Sequence, residues 1–180
     1  MENKDYLIQT KGRAVCLMLN SARCVLSEMI FEDEVSKVIV KECCVELLDA
    51  IVKVAQTAPS SRNSKSSCFM IVEDKDTLEA LSQMRDSGSG LLAGAQAAIV
   101  VLGDETKTDL WVDNCAISST FIQLAVTAMD LCSCWVHING RVRFKAEPDG
   151  PKAEAYVSEL LGIKEGLRPY CAIAIGYPEE

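Results

Sequence analysis

The chain has 180 residues, 49% hydrophobic and 24% charged, the composition of a globular protein and a length that buries one core without a disulfide or metal staple. Its formal charge of −8 with no concentrated basic stripe argues against a nucleic-acid surface, and no apolar run reaches the ~18–20 residues that span a bilayer. The nine cysteines are odd in number, several lie in apolar runs (Cys16, Cys115, Cys171) and no signal segment leads the chain, so reduced thiols in a cytoplasmic protein are expected.

In chain order, Leu17, Leu19, Val25, Leu26, Met29 and Ile30 predict a helix over 13–30, and Val35, Val38 and Val40 alternate as a short extended piece. Val45, Leu48, Ile51, Val52 and Ala55 recur at helical spacing. That second helix is expected to end ahead of Pro59, because the residue before a proline is pushed out of the α region. Residues 58–66, Ala-Pro-Ser-Ser-Arg-Asn-Ser-Lys-Ser, then form a small polar loop before an apolar strand, Cys68 to Val72. Such a junction presents backbone groups and short side chains to a ligand, although the same residues serve equally as ordinary turn chemistry.

A short helix follows over Thr77 to Met84, then a flexible polar loop, Asp86 to Gly90. Ala97 to Leu102 is continuous and apolar, as in a strand covered on both faces. Asp109 to Leu131 reads as a long helix apolar almost all round, which demands burial on every side, within a core or across a subunit interface. Strands at Ser133 to Ile138 and Tyr170 to Ile175, separated by a charged loop and a helix over 152–161, complete an α+β sandwich of one domain.

Few residues suit side-chain catalysis. The only histidine, His137, sits in a strand pattern, and neither a GxSxG elbow, a GxGxxG turn nor a phosphate loop is present. Cys43-Cys44 and Cys132-Ser133-Cys134 lack the paired spacing of a zinc site, so no metal is expected. A redox dithiol at Cys132 and Cys134 is set aside on the expectation that the two side chains diverge to opposite faces of the strand.

The loop Ala58-Pro59-Ser60-Ser61-Arg62-Asn63, with Glu46-Leu47-Leu48 before it and Val72-Glu73-Asp74-Lys75 after it, resembles the Ala-Pro-Ser-Ser-x-Asn region of the FMN-dependent nitroreductase family. Ile99 to Asp104, Leu110-Trp111-Val112-Asp113, Ser133-Cys134-Trp135-Val136, Glu159 to Ile163 and Ala172 to Pro178 follow in the family's order, so the similarity runs over 46–180 and leaves 1–45 diverged. The resemblance implies a central, mostly antiparallel sheet flanked by helices and a homodimer with the long helix at its seam. It implies FMN between subunits, NAD(P)H as reductant and a small acceptor such as a nitroaromatic or quinone. No catalytic side chain is then needed, because the cofactor carries the redox chemistry and the protein holds it. Pro59, Ser60, Ser61 and Asn63 of one subunit would meet Cys132, Ser133, Cys134 and Trp135 of the other.

The chain departs from the family pattern in three places. The Arg-Arg-Ser-x-Arg motif that grips the phosphate has no intact copy. Ungapped alignment places it on Glu32-Asp33-Glu34-Val35-Ser36, and an insertion moves it to Ala22 to Leu26, keeping only Arg23. Ser66-Ser67 replace Pro-Trp, and Asp130-Leu131-Cys132 replace Gly-Leu-Gly. A charge-assisted hydrogen bond is worth ~1.5–3 kcal/mol, so two lost arginine contacts weaken FMN by ~10²–10⁴-fold. The alternative reading is therefore a cofactor-poor dimeric member acting as a binding or regulatory module.

Overall fold

The structure, a computed structural model, describes residues 44–177. The predicted helix over 13–30, the extended piece at Val35 to Val40, Glu32 to Glu34 and Arg23 lie outside the described residues.

Among the described residues four helices and four strands alternate: α1 (Cys44–Gln56), β1 (Ser67–Val72), α2 (Lys75–Ser82), β2 (Ala97–Asp104), α3 (Trp111–Ala128), β3 (Cys132–His137), α4 (Ala153–Leu160) and β4 (Leu167–Gly176). They build one sheet in the order β1-β2-β4-β3, and all three pairings are antiparallel. This agrees with the antiparallel sheet expected from the sequence.

The two central strands are apolar on both faces because each face is covered by helices. Ile99 and Val101 of β2 and Cys171, Ile173 and Ile175 of β4 pack with α1 and α3. Ala98, Val100 and Leu102, with Ala172 and Ala174, pack with α2 and α4 on the other side. Period-2 alternation sends neighbouring side chains to opposite faces, so continuous hydrophobicity marks the middle of a three-layer sandwich.

Two expectations change on folding. Residues 86–94 are tethered: the Asp86 N–H donates to Arg143 O (2.8 Å), its carboxylate accepts from the Lys145 N–H (2.7 Å), and the Ser89 hydroxyl, fully buried, donates to Ser82 O (2.6 Å). A 3-10 turn over Gly90–Gly94 then buries Leu92. Helix α3 packs one face on the sheet and α1, while Val112, Asp113, Ile117 and Thr120 face outward, so of the two forms of burial expected for it, enclosure within one subunit does not hold. Polar residues sit on its inner face instead, Asn114, Ser118 and Ser119 all being buried.

The start of α3 is anchored by Trp111, whose ring lies against the backbone of Gly103, where a Cβ would collide with it. The Arg168 guanidinium covers the ring 4.9 Å from its centroid.

Candidate functional site

The 58–66 loop follows α1 and is held by its own backbone. Asn63 N–H donates to Ser60 O (2.9 Å), Ser64 N–H to Ser61 O (2.9 Å) and Lys65 N–H to Ser60 Oγ (3.0 Å). Arg62, Asn63 and Lys65 adopt left-handed backbone at φ 50°, 56° and 48°. Each such residue costs ~1–2 kcal/mol unless its surroundings enforce it. The Lys65 ammonium turns back onto Gln56 O (3.4 Å) and Ala58 O (3.2 Å), neutralising the carbonyl end of α1.

Asn114, a residue absent from the sequence-based site, supports the loop from below. Its Oδ1 accepts from the Ser61 N–H (2.8 Å) and its Nδ2 donates to Ser64 Oγ (3.1 Å) and Ser66 Oγ (2.9 Å). Ser118 continues the polar seam, its hydroxyl donating to Ser67 Oγ (3.0 Å). The pair Asn114 and Ser118, four residues apart amid apolar neighbours, was the available sequence signal, since i, i+4 residues share one helix face.

With the amides of Ser61, Asn63, Ser64 and Lys65 engaged internally, the loop offers a ligand side chains rather than backbone. The Ser60 hydroxyl accepts from Lys65 and keeps its own proton to donate. The side chains of Ser61, Arg62 and Asn63 have no partner among the described residues.

The second group of candidates sits where α3 passes into β3. Asp130 makes the turn at φ 58°, the left-handed position that glycine favours after a helix. On β3, Ser133, Trp135 and His137 share the face toward α3, and Cys132, Cys134 and Val136 share the other. The expectation that the two thiols diverge is corrected: residues two apart on a strand point the same way. Both line a shallow cleft of about 200 Å³ with Leu91, Ala95 and Gly176. The Trp135 indole N–H lies 3.5 Å from His137 Nδ1, and both rings stand edge-on to Tyr170. Burial, then the charges of Arg141 and Arg85, hold the His137 imidazolium below its ordinary range.

One protomer does not bring the two groups together. Ser67 pairs with Gly103 at one end of the sheet and Cys132 with Gly176 at the other, on opposite edge strands. Three strand spacings and about seven residue rises separate them, on the order of 27 Å. Helix α3, 18 residues long, runs between them, its start bonded to the loop and its end entering β3.

The remaining cations near these corners are mostly committed. Arg143 donates to Gln83 O (3.1 Å) and lies 4.0 Å over the Tyr156 ring, while Arg168 pairs with Glu154 and Glu105. Among the described residues no cluster of three or more His, Cys, Asp or Glu side chains is placed to hold a metal, and no helix is long and apolar enough to cross a membrane.

No family model matches the chain. Over 140 residues it is 31% identical to a protein of Archaeoglobus fulgidus provisionally named NADH dehydrogenase/NAD(P)H nitroreductase, covering 75% of this chain and 74% of the relative. The described fold also superposes on an FMN-dependent nitroreductase from Clostridium difficile R20291 with a TM-score of 0.71 at 35% identity, over 76% of this chain and 77% of that one. The chain belongs to the FMN-dependent nitroreductase family. A second solved relative, from Parabacteroides distasonis, carries the same provisional name as the archaeal protein and matches at a TM-score of 0.66 and 26% identity, over 76% of each chain. The nitroreductase fold accounts for the antiparallel sheet and its flanking helices, and the Ser66-Ser67 and Asp130 departures are accommodated within it.

Proposed function

We propose that the chain is an FMN-dependent oxidoreductase that moves electrons from NAD(P)H to a small acceptor such as a nitroaromatic or quinone, working as a homodimer. The observation that carries this reading is the placement of the two groups of candidate residues at opposite ends of α3, whose outward face exposes Val112 and Ile117 and carries one charge, Asp113. Two copies of α3 packed antiparallel across a two-fold axis would lay the loop of one protomer over the β3 corner of its partner. Neither corner alone presents donors on two sides of a ligand.

The donor set suits a flavin: the Ser60 and Ser61 hydroxyls and the Asn63 amide match ring heteroatoms, and Arg62, a cation without a partner among the described residues, suits the phosphate end. Arg23 is the other proposed phosphate ligand. Pro59 shapes the loop, Ser133 and Trp135 would border the ring, and Cys132 and Cys134 would close the edge of the site. Bound FMN would supply the redox centre, leaving the protein to bind, orient and exclude water. The same reading takes residues 1–180 as one domain of a cytoplasmic protein.

The rival reading, a cofactor-poor dimeric binding module, is favoured by the internally satisfied loop amides and the absent arginine motif. Titrating FMN into the protein and following flavin fluorescence separates the two, with gel filtration beside it. Expected are saturable quenching near one FMN per subunit and a mass twice 19.6 kDa. Ile117→Lys should lower dimer mass and FMN affinity together, and unchanged fluorescence with wild-type protein would leave the module reading standing.

A further inference from the structure

We propose that Asn114 is a positioning residue of this site: its carboxamide sets the shape of the 58–66 loop and thereby aims the Ser60, Ser61 and Asn63 side chains at the flavin. The inference rests on the FMN reading above. Asn114 is 2% exposed, and its amide uses both hydrogens and its oxygen on one loop, bonding Ser61, Ser64 and Ser66. Among the described residues no other side chain bonds three residues of that loop. The loop contains three non-glycine residues in left-handed backbone, a conformation that persists only when its surroundings over-determine it. Asn114 spans the stretch that holds them: Ser61 precedes the first, and Ser64 and Ser66 flank the third.

The chemistry of the amide matters as much as its size. Ser61 N–H needs an acceptor, while the Ser64 and Ser66 hydroxyls are here supplied with donors, leaving their own protons free. Leucine has the same outline and meets neither need. Aspartate keeps the acceptor for Ser61, and the two hydroxyls can rotate to donate to it. Because Asn114 lies on the inner face of α3 and Asp113 and Ile117 on its outer face, the helix that offers itself to a second protomer also holds the loop.

The test measures FMN dissociation constants by fluorescence quenching and hydrogen exchange over residues 59–67 in the flavin-free protein. Asn114→Leu is expected to weaken FMN by tenfold or more and to speed exchange in 59–67 while β2 and β4 stay protected. Asn114→Asp is expected to recover most of both. Equal FMN affinity in wild type and Asn114→Leu overturns the positioning role, as does an equal loss in both variants accompanied by loss of protection throughout the sheet. Should the leucine variant fail to fold, Ser64→Ala with Ser66→Ala removes two of the three bonds from the loop side. Weakened FMN then supports the proposal and unchanged affinity overturns it. Wild-type protein that binds no FMN fails the flavin reading itself, a result distinct from wild-type binding that Asn114→Leu leaves intact.

Discussion

At the start of α3, the 58–66 loop has four amides satisfied internally or by Asn114, a lysine closing the end of α1, and a buried tryptophan as the first residue of the helix that holds it. At the end of the same helix, Cys132 and Cys134 are exposed on an edge strand, in an open cleft, behind a turn made by an aspartate in a glycine's conformation. The first corner is finished before any ligand arrives, so binding there costs little ordering entropy. The second leaves a strand edge without a strand partner among the described residues, a surface that proteins commonly cover with another segment or another chain. In the proposed dimer the preformed half would set specificity and the open half would complete the site.

The largest expected effect probes the foundation of the finished corner. Trp111→Ala should lose about 3–5 kcal/mol in chemical denaturation, because it empties the space between Gly103 and Arg168 under the start of α3. Gly103→Ala should act in the same direction by about 1–3 kcal/mol through overpacking against that ring. A loss below ~1 kcal/mol for Trp111→Ala would mean the corner is not anchored there.

Thiol chemistry sharpens the contrast. Cys115, bonded by the Ser67 hydroxyl at the start of β1, has its thiol pushed up to about 12 by burial, and so does Cys171. Mass spectrometry after alkylation of the native protein at neutral pH should find Cys132 and Cys134 modified and these two intact. The folded state keeps protons that the unfolded chain releases above pH 9.0, so this contribution to stability is complete below 9.0 and is lost as pH rises toward about 12. Urea melts that are flat between pH 8 and 10.5 would contradict the buried thiols.

At the far end of β3 the sign reverses. His137 is held below 6.5, chiefly by burial, so the unfolded chain takes up its proton first on acidification. Stability from this residue is present above pH 6.5 and declines as pH falls from there through the lowered value. His137→Gln should flatten the acid limb of the melting profile, and an unchanged limb would assign it to other groups. The smallest effect is at Asp130, where Asp130→Gly relieves the φ of 58° and should gain about 0.5–1 kcal/mol if the strain exceeds the entropy glycine adds to the unfolded chain. Thermal melting measures it.

Much of the fold was legible along the chain. Helical spacing of Leu48, Ile51 and Ala55 located α1, Pro59 its end, and continuous apolar runs located β2 and β4. The polar composition of residues 86–90 misled, because Ser89 is a buried tether and Asp86, three positions before it, is bonded to the 143–145 segment. Apolar residues all round α3 suggested burial in a core or at a subunit interface, and within one protomer its inner face carries the polar Asn114-Ser118 seam while its outer face exposes Ile117. Periodicity counts which residues are apolar and is silent on what each face meets.

Within 44–177 the elements, the polar turn before β1 and the family order of the motifs followed from the chain alone, because propensity, turn chemistry and apolar period are local properties. Tertiary structure alone decided the strand order β1-β2-β4-β3, which sends the loop and the Cys132–Trp135 corner to opposite ends of the sheet. It also decided that Asn114 serves Ser61, 53 positions away. Both depend on which surfaces pack together, and a buried polar group takes whatever partner that packing supplies rather than one written beside it.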